Sequence, residues 1–113
     1  MKQVLFDENM PRKLRRDLPE FHIRTAQEEG WSAFKNGALL TRASETFDVL
    51  VTIDQRMRYQ QNMPRFAIGV VVIEVPDTRF VHLRSLVPDI RHAIHNVQTG
   101  QVLIVTPDGL TLV

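Results

Sequence analysis

Cysteine is absent from this 113-residue chain. Disulfides and thiolate metal sites are therefore excluded, which fits a reducing cytosol. No apolar run approaches the roughly 20 residues that span a bilayer, so no membrane partner is expected. Met1-Lys2-Gln3 passes directly into a strand-like segment without a signal-peptide pattern, and the expectation is a cytoplasmic protein. A glycine-rich phosphate loop is missing, and no serine sits in a nucleophile-elbow pattern. Ser/His/Asp catalysis is correspondingly poorly supported. His92 and His95 stand three apart on a helical stretch, but without a third histidine nearby they argue against zinc. An excess of one charge is also missing. The formal net charge is +1, so the whole molecule does not attract polyanions.

What remains is the composition of an ordinary globular domain, 43% apolar and 24% charged. The length suits one domain, residues 1–113, with roughly two-thirds of the unfolded surface buried. Strand-like and helix-like stretches alternate, which predicts an α/β protein with a mainly parallel sheet flanked by helices. A strand is expected over 3–6. A helix starting at Pro11 follows, with Leu14 and Leu18 on its buried face and Pro19 as its stop. Phe21 to Thr25 alternates apolar and polar residues, as a half-buried or edge strand does. Ala26 to Lys35 reads as a loop with a helical turn near Gln27-Glu28-Glu29.

A second helix is expected from Asn36 to Thr46, with Leu39, Leu40, Ala43 and Phe47 as its apolar stripe. The runs 49–53 and 68–75 are nearly all apolar and read as central strands covered on both faces. Between them, Gln55 to Asn62 reads as a helical turn followed by a loop. Phe80, Leu83, Val87, Ile90, Ile94 and Val97 recur at helical spacing, and Pro88 should kink that segment or restart it. Residues 102–105 form a last strand, and Thr106-Pro107-Asp108-Gly109 turns the chain into an antiparallel hairpin.

The chemistry gathers at two strand ends. Val4-Leu5-Phe6 runs into Asp7-Glu8-Asn9, and Val49-Leu50-Val51-Thr52-Ile53 runs into Asp54. Open parallel sheets bind ligands outside the carboxyl ends of their strands, where the strand order reverses. Two aspartates delivered there put two carboxylates into one crevice, a donor set that suits Mg²⁺ or Mn²⁺. Each aspartate also has a plain structural role as a cap for the turn that follows it. Glu8 faces away from Asp7 if the segment is extended, so it either supports the site or enters it if the strand ends early. Asn36 reads either as the N-cap of the second helix or as an amide that orients water or an ion in the same crevice.

Basic residues crowd the same segments. Arg12, Lys13, Arg15 and Arg16 follow the first acidic cluster, and Arg56 and Arg58 follow Asp54. Such groups hold phosphates, or they line a solvated helix face. Tyr59, Gln60, Gln61 and Asn62 form a polar cluster that suits stacking on unpaired bases and bonding to base edges, or that is simply a surface loop. Trp31 and Phe34 are further aromatics on a neighbouring loop, and Phe34 is expected to pack beneath it.

The opening VLFDENMPRKL, the middle EEGWSAFKNGALL and the run FDVLVTIDQRMRYQQNM resemble the small PIN-like domain family over residues 2 to 98. Members of that family are read as toxin components of bacterial and archaeal toxin–antitoxin pairs. The resemblance implies a three-layer, doubly wound α/β fold and a metal-dependent ribonuclease site. It carries Asp7 and Asp54 over as metal-holding acids, with Glu8 and Asn9 in the same opening motif. It also implies RNA as substrate, a cognate antitoxin as partner and Mg²⁺ or Mn²⁺ as cofactor, and a homodimer is compatible with it. PIN-type nucleases gather three or four carboxylates, and related members often place one at the start of the second helix. Lys35-Asn36 stands at that place here. Asp77 lies past the strand ending at Val75 and matches no motif well.

These features support an RNA endonuclease, with Arg12, Arg56, Arg58 and Tyr59 on the RNA. The alternative is a catalytically weak or inactive module that keeps the fold and binds nucleic acid or a partner protein. A phosphatase or receiver-like domain ranks last, because the late strands carry no lysine.

Overall fold

The computed structural model describes residues 1–59 and 63–113. Six strands form one sheet in the order β2-β1-β3-β4-β5-β6. β1 (Gln3–Phe6), β2 (His22–Thr25), β3 (Val49–Thr52), β4 (Gly69–Ile73) and β5 (Val102–Thr106) run parallel. β6 (Gly109–Leu112) returns antiparallel to β5 and closes one edge, as the hairpin reading expected. β2 is the other edge, which explains why its sequence alternates rather than running apolar.

Side-chain alternation along each strand divides the interior into two cores. Val4, Phe6, Val49, Val51, Val71 and Ile73 face one side, while Leu5, Leu50, Val70 and Val72 face the other. The first core is covered by a 3₁₀ helix (Arg12–Asp17) and by the helices between β4 and β5, through Leu14, Leu83, Val87, Ile90 and Ile94. The described residues also form four α-helices, α1 (Ala26–Glu29), α2 (Asn36–Ser44), α3 (Phe80–Arg84) and α4 (Val87–Asn96), and two further 3₁₀ helices, Gln55–Tyr59 and Met63–Arg65. Leu39, Leu40, Ala43 and Phe47 from α2 and its C-terminal loop cover the second core, so the expected stripe is buried. The result is a sheet between two helical layers.

Two elements differ from the sequence expectation, after Pro11 and at the end of β3, and a third, at Pro88, takes one of the two courses expected of it. The segment after Pro11 is a six-residue 3₁₀ helix, because Pro11 and Pro19 leave little room for an α-helix to propagate. The segment over 80–96 is two helices, α3 and α4, and Pro88 occupies the first turn of α4, where its missing N–H is harmless. β3 ends at Thr52, so Asp54 lies in the turn beyond it. Gly69 is required by packing: a Cβ there would stand 2.9 Å from Val97 Cγ1 and 3.0 Å from the Gln98 carbonyl oxygen. Lys2 Nζ donates to the carbonyls of Ile94 at 2.9 Å and His95 at 3.1 Å, closing the C-terminus of α4 against β1. Among the described residues no helix is long and apolar enough to cross a membrane.

Leu50 is fully buried in the central strand. Leu50→Ala should lower unfolding stability by about 2–5 kcal/mol in urea titration, through lost burial and a residual cavity.

Candidate functional site

From β1 the chain first adds β2 on one side and later returns to add β3 on the other. The strand order therefore reverses between β1 and β3, which is where a doubly wound sheet opens a crevice at its carboxyl edge. Asp7 follows β1 directly and Asp54 follows β3 after one residue, so both candidate acids are delivered to this point. The register continues past the paired residues: the Asp7 amide donates to the Val51 carbonyl at 3.0 Å.

Thr52 joins the two acids. Its Oγ1 donates to Asp7 Oδ2 at 2.7 Å and accepts the Asp54 amide at 2.9 Å. Asp7, Thr25 and Thr52 are the buried polar residues among those described, and Thr52 has no exposure at all. A buried carboxylate needs such donors to remain favourable. Asp7 Oδ1 accepts a second bond, from the Glu8 amide at 2.7 Å. Asp7 does not cap the following helix, whose N-cap is Pro11 with no side-chain bond.

Asp54 is held differently. Its Oδ1 accepts the Arg56 amide and Arg56 Nε, both at 3.0 Å, and its Oδ2 accepts an Arg56 terminal nitrogen at 2.8 Å. Asp54 thus caps its own turn, as its structural reading expected, and also forms a bidentate ion pair. The guanidinium hydrogen bond from Arg56 is the main reason the Asp54 carboxyl lies below its usual range, with burial opposing. Arg56 is raised in turn by Asp54 first and by the nearby charge of Asp7 last.

The other candidate residues are spread along this edge. Glu8 is exposed, and its carbonyl accepts Gln27 Nε2 at 2.7 Å, which ties α1 to the end of β1. Asn36 is the first residue of α2, which leads into β3 and so begins at the carboxyl edge. It is not the N-cap: Lys35 holds that place without a side-chain bond. Among the described residues no side chain hydrogen-bonds Asn36. Arg58 pairs with Glu74 at 2.7 Å and lies 5.3 Å from the Tyr59 ring centroid, while Tyr59 is 73% exposed. Gln60, Gln61 and Asn62 lie outside the described residues. Phe34 is 37% exposed rather than packed beneath its loop, and Trp31 meets Phe47 edge-on at 6.0 Å.

Of the basic segment, Arg15 is taken by Glu28 at 2.9 Å. Arg12 is exposed and borders two shallow depressions, one of about 520 Å³ with Lys13 and Arg16, the other of about 290 Å³ with Met10 and Thr25. Asp77 is held by neighbours that are basic. Arg79 grips it at 2.7 Å and His82 approaches at 3.2 Å, beside a separate apolar hollow lined by Val75, Leu86 and Pro107.

Two carboxylates completed by water match the way Mg²⁺ is held, so the donor types fit a hard cation. The arrangement fits it only in part. Among the described residues no three of His, Cys, Asp and Glu are grouped to hold a metal, and Arg56 fills both oxygens of Asp54.

The sequence marks Thr52 within a strand-Thr-x-Asp element but gives it no role, although its place two residues before Asp54 is the spacing of a hydroxyl-to-amide turn. Sequence reasoning passed over the Thr25–Glu28 capping box that starts α1, a T-x-x-E signature.

Thr52→Val keeps the shape and removes the hydroxyl. It should cost about 1–3 kcal/mol in chemical denaturation, because a buried carboxylate oxygen and an amide lose their partner. A second expectation concerns pH. Arg15, and then the Thr25 amide, hold the Glu28 carboxyl at about 2 rather than 4.5. A depressed carboxyl stabilises the fold above its unfolded value and loses that contribution as pH falls. The stability gap between wild type and Glu28→Gln should therefore shrink between about pH 4.5 and 2, read from urea midpoints.

No family model, curated protein or solved structure matches this chain.

Proposed function

We propose that this chain is a PIN-like endoribonuclease, the toxin of a toxin–antitoxin pair, that hydrolyses phosphodiester bonds of single-stranded RNA. The observation that supports it most is the delivery of Asp7 and Asp54 to the one point where the strand order reverses, joined through Thr52. Asp7 and Asp54 would hold Mg²⁺ or Mn²⁺, which when bound lowers the pKa of water and offsets charge on the phosphate. Thr52 fixes the Asp7 carboxylate, so the acid is oriented before substrate arrives. Arg12 and Arg56 are the exposed cations beside the crevice and bind flanking phosphates. Arg58 is occupied by Glu74, and its role is to support the exposed Tyr59 ring as a surface on which a base stacks. Asn36, at the start of α2, supplies the amide that orients the attacking water, and Glu8 adds negative charge at the rim.

A second reading has its own support: an inactive PIN-like module that binds nucleic acid or a partner protein. The full occupation of Asp54 by Arg56, and an amide at Asn36, favour it.

Purified protein with Mn²⁺ should cut single-stranded RNA, and Asp7→Asn or Asp54→Asn should reduce the rate by at least about 100-fold, as loss of a charge-stabilising group does. Cutting undiminished in the double variant would overturn the nuclease. RNA binding without cutting in wild type would select the inactive module.

A further inference from the structure

We infer that Arg56 exchanges between Asp54 and a substrate phosphate, so that the phosphodiester and the divalent cation bind cooperatively. This rests on the nuclease reading and adds a control element to its site. The grip on Asp54 is complete on the acid's side: Oδ1 accepts Arg56 Nε at 3.0 Å and Oδ2 accepts a terminal nitrogen at 2.8 Å. A cation reaching Asp54 must compete with this guanidinium. Exposure divides the pair unequally, with the Arg56 side chain 77% exposed and that of Asp54 13% exposed. The acid is fixed in the crevice wall while the base stands in water.

An arginine so exposed is held weakly by a carboxylate. Its planar fork matches the oxygens of a phosphate as well as those of a carboxylate, so a phosphodiester entering the crevice offers an equivalent partner. Departure of Arg56 does not release Asp54 from the site, because the Asp54 amide is bound independently to Thr52 Oγ1 at 2.9 Å. It leaves the carboxylate of Asp54 uncompensated, on the residue that Thr52 Oγ1 links to Asp7, and a carboxylate so freed attracts a cation. Each ligand therefore removes an obstacle to the other, and the coupling must be reciprocal.

The molecule contains its own control. Asp77 and Arg79 repeat the D-x-R arrangement, with Arg79 Nε 3.1 Å from Oδ1 and a terminal nitrogen 2.7 Å from Oδ2. That pair stands apart from Asp7 and Thr52 and next to His82.

Calorimetric titration of Mn²⁺ into the full chain tests this, with and without a short phosphorothioate single-stranded RNA and with uptake by the RNA alone subtracted. Wild type should bind Mn²⁺ more tightly with the RNA, by up to about 5-fold, because the gain cannot exceed the stability of the exposed ion pair that is released. Arg56→Gln should bind Mn²⁺ tightly without RNA and gain little from it, and Arg79→Gln should behave as wild type. Equal behaviour of Arg56→Gln and wild type overturns the exchange while leaving the nuclease intact if wild type still cuts RNA. Failure of every variant to bind Mn²⁺, with or without RNA, overturns both.

Discussion

Thr52 Oγ1 sits between two strand ends, donating to the Asp7 carboxylate and accepting the Asp54 amide. The bond to Asp7 spans 45 residues of sequence and is wholly buried. It exists only because Phe6 pairs with Val51, which sets Asp7 beside Thr52 as the two strands leave the sheet. A one-residue slip in that register would turn Thr52 to the opposite face and leave the buried carboxylate without its donor. The rest of the site follows from this contact. Asp7 is oriented, Asp54 is held at a fixed distance along its turn, and Arg56 is brought near both charges.

The same geometry creates a tension within the site. Two acids at a switch point are an attractive cation site, yet one of them is already neutralised by an arginine two residues away. Elsewhere on this edge the charges are also largely internal: Arg58 with Glu74, Arg79 with Asp77, Arg15 with Glu28. Arg12 and Arg16 remain exposed on the segment that follows Asp7. A near-zero net charge therefore conceals a local surface on which a few cations are free to meet phosphate while most hold the fold's loops in place.

Much of the fold was legible in the sequence because parallel strands buried on both faces read as continuous apolar runs. Val49 to Val51 and Val70 to Ile73 are such runs, and both strands lie inside the sheet. The alternation of Phe21 to Thr25 likewise marked a half-buried or edge strand. Pro88 left two outcomes open, and packing selected the restart of a helix. The pair Asp7 and Asp54 was legible because acids follow apolar strands directly. Their partners were not. The contact between Arg58 and Glu74 crosses 16 residues, and that between Thr52 and Asp7 depends on which strands become neighbours. The cap of α2 was misplaced by one residue because asparagine is the better capping residue in isolation, whereas the chain enters the helix at Lys35 in an extended conformation.

We propose that Asp7 and Asp54 act as one ion-binding unit, over and above the turn that Asp54 caps. Backbone amide NMR spectra recorded during titration with Mn²⁺ in the presence of single-stranded RNA test it most directly, since a bound paramagnetic ion broadens the signals nearest to it. Broadening should concentrate at Asp7, Glu8, Thr52 and Asp54 and be lost in Asp7→Asn. Broadening centred elsewhere, or spread evenly over the acidic surface, would contradict it.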